Sequence, residues 1–144
     1  MNKIISALIF ACLLTSCDIR SSRQKNESSD MTITDSTTVQ VIDSAYNFGT
    51  VTDGDKVEYN FRFRNTGKNP LVIESAVASC GCTVPEKPEH PIMPGETGFL
   101  KVVFNSKGRV GDVYKTITVR SNARPNFPQL QLRGNVKAAD KDSN

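Results

Sequence analysis

The sequence lacks several of the residues and motifs on which common enzyme and metal sites depend. It contains no tryptophan and only one histidine, His90, among 144 residues. It has no nucleophile elbow, no glycine-rich phosphate loop and no pair of acidic residues at a recognisable spacing. Any cysteine–histidine catalysis would have to use His90, and no neighbouring residue is an obvious partner to orient it. These absences predict that the protein is not an enzyme and carries no cofactor.

The apolar run Ile4–Leu14 is too short to cross a bilayer, which takes about 20 residues. It follows a short polar start with one positive charge, Lys3, and this order is typical of a secretory signal peptide. The next residues, Leu14-Thr15-Ser16-Cys17, resemble a bacterial lipobox, whose cysteine is diacylated and becomes the new N-terminus. We therefore predict a lipoprotein signal peptide over residues 1–16 and an acyl anchor such as palmitate on Cys17. The alternative is an ordinary signal peptide with a chance cysteine.

Positive charge is not clustered anywhere in the chain. The formal net charge is +3, and it falls to +2 without the signal peptide because Lys3 is the only ionisable side chain removed. Scattered Lys and Arg residues, together with export, exclude a nucleic-acid partner. We expect a bacterial envelope protein held to a membrane by its N-terminal lipid, with its domain outside the cytoplasm and an unidentified protein of the envelope as its partner.

Composition divides the mature chain into three parts. Residues 17–38 are rich in Ser, Thr, Asn, Asp and Lys, and such a segment buries too little apolar surface to offset its ordering entropy. We interpret it as a disordered tether behind the lipidated Cys17. Residues 39–137 form the folded domain, and residues 138–144 are a short polar tail.

The domain has a period-two pattern of apolar residues. Val57, Tyr59, Phe61 and Phe63 alternate with polar residues, as in an antiparallel strand with one wet face. No convincing helical periodicity occurs. About seven short strands in about 100 residues predict an all-β, immunoglobulin-like sandwich. The expected strands lie near residues 39–42, 46–48, 57–64, 71–78, 99–104, 113–120 and 130–136.

The chain contains an ordered set of short motifs: Phe48-Gly49-Thr50-Val51, Phe61-x-Phe63-x-Asn65-Thr66-Gly67, Leu71-x-Ile73, Ser79-Cys80-Gly81-Cys82-Thr83, Pro91-Ile92-x-Pro94-Gly95, Val102-x-Phe104, Lys115-x-Ile117-x-Val119-x-Ser121-Asn122 and Leu132-x-Gly134. This set resembles the DUF1573 family of bacterial envelope proteins, which is common in Bacteroidetes. The resemblance covers about Tyr46 to Val136 and implies a fold similar to ASH, MSP and PapD-type immunoglobulin-like domains, which act as interaction modules. It implies no biochemical role, since none is assigned to the family.

Cys80 and Cys82 are the only cysteines left in the folded part, because Cys12 leaves with the signal peptide and Cys17 carries lipid. On extended backbone their Cα atoms would lie ~6.6 Å apart, at the far end of the disulfide range. A bridge would therefore need a bend, which a positive φ at Gly81 would permit. The two cysteines are either small buried thiols where a strand turns towards the other sheet, or a local disulfide or redox pair, or metal ligands.

The metal alternative uses Cys80, Cys82, His90 and Met93, whose soft ligand atoms suit Cu(I). Zinc prefers four Cys or His ligands, and only three are present. His90 and Met93 also lie eight or more residues beyond the cysteines, across several prolines. We therefore predict no metal site. The alternative function, a thiol-redox or copper-type protein centred on the Cys80-Gly81-Cys82 pair, stays open at this point.

Prolines recur at every third position after the cysteines: Pro85, Pro88, Pro91 and Pro94. This is the period of a polyproline II helix, which would align them on one face. Such a segment either binds an aromatic groove on a partner or is a rigid connector between the sheets that offers no hydrogen-bonding edge. We prefer the connector.

Overall fold

Alternating apolar and polar residues build two four-stranded sheets. The computed structural model describes residues 35–139, and within that range every regular element is a strand. No helix in this range is long and apolar enough to cross a membrane. The predicted signal peptide, Cys17, most of the tether and residues 140–144 lie outside the described residues. The strands are β1 Val39–Val41, β2 Ala45–Thr52, β3 Lys56–Asn65, β4 Ile73–Ala78, β5 Thr83–Glu86, β6 Thr97–Asn105, β7 Gly111–Ser121 and β8 Leu130–Lys137.

The first sheet has the order β1-β3-β6-β5 and the second the order β2-β8-β7-β4. All neighbouring strands are antiparallel except β2 and β8, which are parallel. The predicted all-β, immunoglobulin-like sandwich is confirmed. The strand count differs by one, because β5 lies in the proline-rich segment that the sequence predicted to be a connector.

The inner faces of the two sheets carry the core. In β3 every second side chain from Val57 points inward and every other one is exposed, as a strand with one wet face requires. A large cluster includes Phe61, Phe63, Leu100 and Ile117, all at most 1% exposed. A smaller cluster is formed by Val57, Phe104, Val113, Leu132 and Val136. Each large side chain buried in this way contributes about 1.5–3 kcal/mol.

A pair of aromatic rings closes one side of the sandwich. β1 is short and pairs only with the last residues of β3, from Phe63 to Asn65, so the rest of that edge of β3 has no neighbouring strand. Tyr59 lies on this open stretch, and Tyr46 from β2 stacks on it with ring centroids 3.8 Å apart. The stack covers the core where β1 has ended.

The two ends of the sandwich differ, and we name them for later use. The amino-terminal end contains residues 35–38 and the end of β3 at Asn65. The cysteine end contains residues 79–83 and the other end of β3, where Lys56 pairs with Asn105. The ten residues of β3 span the distance between the ends, which at ~3.3 Å per residue is about 30 Å.

Candidate functional site

The Cys80–Cys82 segment is the crossover between the two sheets. β4 is the edge strand of the second sheet and β5 is the edge strand of the first, and residues 79–82 connect them. The cysteines thus lie where a strand turns towards the other sheet, as one of the sequence alternatives placed them. Both are half-buried, whereas Gly81 between them is exposed.

Cys80 and Cys82 are joined in a disulfide, and their Cα atoms are 5.4 Å apart. The chain bends here, because the Thr83 N–H donates to the Cys80 carbonyl at 3.2 Å and closes a turn. The bend does not use a positive φ at Gly81, contrary to the sequence expectation. An added Cβ at Gly81 would meet no atom within 4 Å, so neither backbone strain nor crowding requires glycine there.

Hydrogen bonds to the neighbouring strands hold both sides of the turn. Before it, the Ser79 N–H donates to the Thr116 carbonyl at 2.9 Å, and the Thr116 N–H donates back to Ser79 Oγ at 3.2 Å. After it, the Asn105 N–H donates to the Cys82 carbonyl at 2.9 Å. These bonds and the turn-closing bond all involve the backbone, so the path of residues 79–83 is defined by groups other than the sulfur atoms.

The Thr83 hydroxyl is the polar side-chain group beside the disulfide. Thr83 is 3% exposed. Its Oγ1 lies 3.7 Å from Cys80 Sγ and 4.0 Å from Cys82 Sγ, distances at which a hydroxyl can bond to sulfur. Cys82 also packs against the small core cluster. The site is therefore a disulfide with one side against the core, one exposed glycine and a buried hydroxyl within reach of both sulfurs.

The metal alternative is not assembled in the structure. His90 is exposed in the loop after β5. Met93 follows Ile92, which pairs with Leu71 near the amino-terminal end, whereas the cysteines lie at the cysteine end. Between residues 35 and 139, no group of three or more His, Cys, Asp or Glu side chains is arranged to hold a metal ion. The structure does not bring Cys80, Cys82, His90 and Met93, the copper-type alternative, together at one place.

The proline segment is also not the predicted connector. Pro85 lies inside β5, and the crossover between the sheets is residues 79–82, which contain no proline. Because Asn105 bonds to Cys82, the ladder alternation directs the backbone groups of Thr83 and Pro85 away from β6. The Thr83 N–H is used by the turn, and Pro85 has none. β5 is thus an edge strand with no free N–H at these positions, which discourages pairing with another strand.

An ion pair lies on the side of the sandwich between β1 and β2. Arg62 donates to Asp43 from Nε to Oδ2 at 2.6 Å and from Nη2 to Oδ1 at 3.1 Å. The hydrogen bond from Arg62 lowers the pKa of the Asp43 carboxyl, and the same contact raises the pKa of Arg62. Burial, and then the charge of Asp43, raise the pKa of the Tyr59 hydroxyl. Asp43, Arg62 and Tyr59 interact with one another, and we therefore interpret this cluster as structural.

Asn65 is a residue whose role the sequence did not reveal. It is fully buried, and its Nδ2 donates to the carbonyls of Asn69 and Ile92, each at 2.8 Å. Its Oδ1 accepts from Thr37 Oγ1 at 2.9 Å and from the Gly67 N–H at 3.0 Å. The four hydrogen bonds of this one amide connect the end of β3 to Thr37, to the turn at residues 67–69 and to Ile92. In the sequence, Asn65 stands out only as a member of the motif Phe61-x-Phe63-x-Asn65-Thr66-Gly67.

Asn122 plays a similar part at the same end. Its Oδ1 accepts from the Val72 N–H, and its Nδ2 donates to the carbonyls of Asp35 and Pro70, each at 2.9 Å. The backbone of Thr37 bonds to Asn122 and Arg124 as well. Residues 35–38 therefore belong to the domain, and Thr37 is 4% exposed, although the sequence placed them in the tether. The reason is their hydrogen bonding to distant asparagines, which composition does not reveal.

The comparisons with known proteins concern the family and the fold. A family model described as "Protein of unknown function (DUF1573)" matches residues 39–136. A solved protein of unknown function from Porphyromonas gingivalis W83 superposes with a TM-score of 0.60 at 14% identity, over 76% of this chain and 51% of that one. This chain therefore spans about half the length of that protein.

A second solved structure is the ASH/PapD-like domain 7 of human CEP192. It superposes with a TM-score of 0.57 at 16% identity, over 73% of this chain and 89% of that one. Identities this low show a shared fold and nothing about partners. No curated protein matches the sequence.

Proposed function

This chain belongs to the DUF1573 family, and we propose that it is a lipid-anchored envelope protein whose immunoglobulin-like domain binds another protein and catalyses no reaction. The lipobox-like Leu14-Thr15-Ser16-Cys17 after the apolar run Ile4–Leu14 supports the anchor. The family, which has no known function, and the PapD-like fold support a non-catalytic domain.

The chain enters the domain at the amino-terminal end of the sandwich. Residues 35–38 are bonded to the amino-terminal end of the sandwich. A lipid on Cys17 would therefore connect the membrane to this end of the domain. The cysteine end lies about 30 Å from this attachment point along β3.

The observation that carries the binding proposal is a mixed apolar and charged face on the first sheet. Phe99 is 53% exposed and Val84 is 55% exposed, and Val84 lies directly opposite Val103. Between Phe99 and Val103, Lys101 lies 3.7 Å from Glu58 and 3.6 Å from Glu86. Exposed aromatic side chains such as Phe99 are enriched in protein–protein interfaces, and the rims of these interfaces are polar.

The anchor is tested by labelling cells with an alkyne analogue of palmitate and isolating the protein. We expect label on the wild type and on Cys12→Ala, a matched change inside the predicted signal peptide, and none on Cys17→Ala. Label that persists on Cys17→Ala would show that the lipid, if any, is attached elsewhere.

The binding face is tested by crosslinking in cells. Phe99→Glu and Val84→Glu should each abolish a specific crosslinked complex that the wild type forms. Tyr114→Glu is the control, because Tyr114 is 57% exposed on β7 of the other sheet. Loss of the complex in all three variants, or in none, would contradict a binding site on the first sheet.

A second candidate function is thiol–disulfide chemistry at Cys80 and Cys82. The observation that favours it over soft-metal binding is the disulfide itself, because metal binding needs thiolates. Thiol counting on the folded protein, with and without reductant, together with elemental analysis, separates the alternatives. Two inaccessible thiols and no metal would argue against both thiol–disulfide chemistry and soft-metal binding.

A further inference from the structure

The disulfide links residues only two positions apart, so it contributes little as a staple. The path of the turn is already set by the backbone hydrogen bonds of Ser79, Cys82 and Thr83 to their neighbours. Breaking the S–S bond removes none of these bonds. The fold therefore holds the two sulfur atoms close together in the reduced protein as well, and reduction and reoxidation require no unfolding.

The two sulfurs have different surroundings. Cys82 packs against the small core cluster, and Cys80 is not among the residues that pack against either cluster. Gly81 is exposed, and the space where its Cβ would lie is empty for 4 Å. An attacking sulfur must approach along the S–S axis from the side opposite the leaving sulfur. Because Cys80 packs against neither core cluster, the mechanism below takes Cys80 as the attacked sulfur and Cys82 as the leaving group.

The Thr83 hydroxyl is placed to respond to this cleavage. In the oxidised protein its hydrogen-bond partners among residues 35–139 are the disulfide sulfurs, which are weak acceptors. A thiolate is charged and accepts a much stronger hydrogen bond. The hydroxyl therefore stabilises the thiolate formed by cleavage more than it stabilises the disulfide. Stabilising the developing charge more than the starting state accelerates the reaction.

We propose that Cys80–Cys82 is an exchangeable disulfide that reacts with a protein dithiol outside the cytoplasm, and that Thr83 is a positioning residue that stabilises the released thiolate. This inference rests on the second candidate function. A thiolate of the partner dithiol attacks Cys80 Sγ, a mixed disulfide forms, and Cys82 leaves as a thiolate. The second partner thiolate then attacks the partner sulfur of the mixed disulfide and releases Cys80. Two electrons pass to the cysteine pair, the partner becomes a disulfide, and its two protons end on Cys80 and Cys82.

The first measurement tests whether exchange occurs in the folded protein. The full chain is purified in detergent and treated with dithiothreitol under native conditions, and free thiols are counted by alkylation and mass. We expect Cys80 and Cys82 to be blocked before treatment and alkylated after it, while near-UV circular dichroism is unchanged. Thiols that appear only when the protein unfolds would overturn both this inference and the second candidate function.

The second measurement tests Thr83 alone. The pH dependence of iodoacetamide alkylation is recorded for the reduced wild type, Thr83→Val and Thr83→Ser. Removing the hydroxyl should raise the apparent thiol pKa by about one unit and slow alkylation near neutral pH about tenfold. Thr83→Ser, which keeps the hydroxyl, should match the wild type. A Thr83→Val profile equal to the wild type would overturn the role of Thr83 and leave the exchange itself standing.

The third measurement identifies the attacked sulfur. A thioredoxin whose resolving cysteine is replaced by serine traps the mixed disulfide, and peptide mapping locates the link. A link to Cys80 is expected. A link to Cys82 would contradict the order of attack given above.

Discussion

The two ends of the sandwich are fastened in different ways. At the amino-terminal end, the buried amide of Asn65 and the amide of Asn122 connect segments that are far apart in sequence. At the cysteine end, backbone hydrogen bonds hold a short turn, and the covalent bond joins near neighbours. The covalent cross-link therefore lies at one end of the sandwich, and the side-chain hydrogen bonds that connect distant segments lie at the other. We expect substitutions at the amino-terminal end to cost more stability than substitutions at the cysteine end.

Asn65→Ala should have the largest effect. It leaves the buried Thr37 hydroxyl, the Gly67 N–H and the Asn69 carbonyl without the partner that Asn65 supplies, while the Ile92 carbonyl keeps its bond from the Leu71 N–H. The expected loss is about 3–5 kcal/mol of unfolding free energy, measured by urea denaturation of the full chain. Asn60→Ala, on the exposed face of the same strand, is the control and should change stability by less than about 0.5 kcal/mol. Equal losses of unfolding free energy in Asn65→Ala and Asn60→Ala would contradict the claim that the Asn65 hydrogen bonds stabilise the amino-terminal end.

A pair of glycine substitutions compares the two ends directly. Neither Gly67 nor Gly81 has a positive φ, so alanine is tolerated by the backbone at both. A Cβ at Gly67 would collide with the Thr37 side chain, whereas one at Gly81 would meet open space. We expect Gly67→Ala to cost about 2 kcal/mol and Gly81→Ala less than about 0.5 kcal/mol in thermal or urea unfolding. A larger loss for Gly81→Ala would reverse the comparison.

Reduction of the disulfide should have a smaller effect than either change at the amino-terminal end. The closed loop holds so few residues that the chain-entropy contribution is about 1.5 kcal/mol at most. The measurement compares urea unfolding with and without dithiothreitol. The Cys80→Ala/Cys82→Ala variant, which has no disulfide to reduce, should show no response to the reductant. Unfolding of the wild type by reductant alone would show that the bond is a structural staple.

The Asp43–Arg62 pair, which belongs to neither end, should give the smallest effect. Because the folded-state pKa of Asp43 is lowered, its stabilisation is present above the unfolded-state value and is lost as pH falls through the folded-state pKa. The melting temperature of the wild type should therefore exceed that of Asp43→Asn near neutral pH, and the gap should close in acid. Arg62 is 53% exposed, so the gap should be small and should shrink with salt. A melting-temperature difference that widens in acid would contradict the hydrogen bond from Arg62 as the cause of the lowered pKa of Asp43.

Much of the fold could be predicted because alternation reports directly on burial. The apolar positions of β3 and β7 are the ones that face inward. β5 could not be predicted, since Pro85 argues against a strand unless the strand lies at an edge with the missing N–H turned outward. Residues 35–38 were placed in the tether for a similar reason. Their polar composition is that of a linker, and only the distant Asn65 and Asn122 make them part of the domain.

At the site, the sequence identified the cysteine pair and its place where a strand turns towards the other sheet. It gave the wrong reason for the bend, which a backbone hydrogen bond from Thr83 closes without a positive φ at Gly81. It also grouped Met93 with the cysteines in the copper alternative because their soft ligand atoms suit Cu(I). The path of the chain after β5 carries Met93 towards the amino-terminal end instead, and only the sheet register could reveal this.

The central claim is that hydrogen bonds, not the S–S bond, set the geometry of the cysteine turn. Amide hydrogen exchange of Ser79, Thr83 and Asn105, whose N–H groups make these bonds, tests it most directly in the oxidised and reduced full chain. The account predicts that protection of the three amides differs by less than about tenfold between the two states, in line with the small global effect of reduction. Loss of protection at all three amides on reduction, with the core still protected, would contradict it.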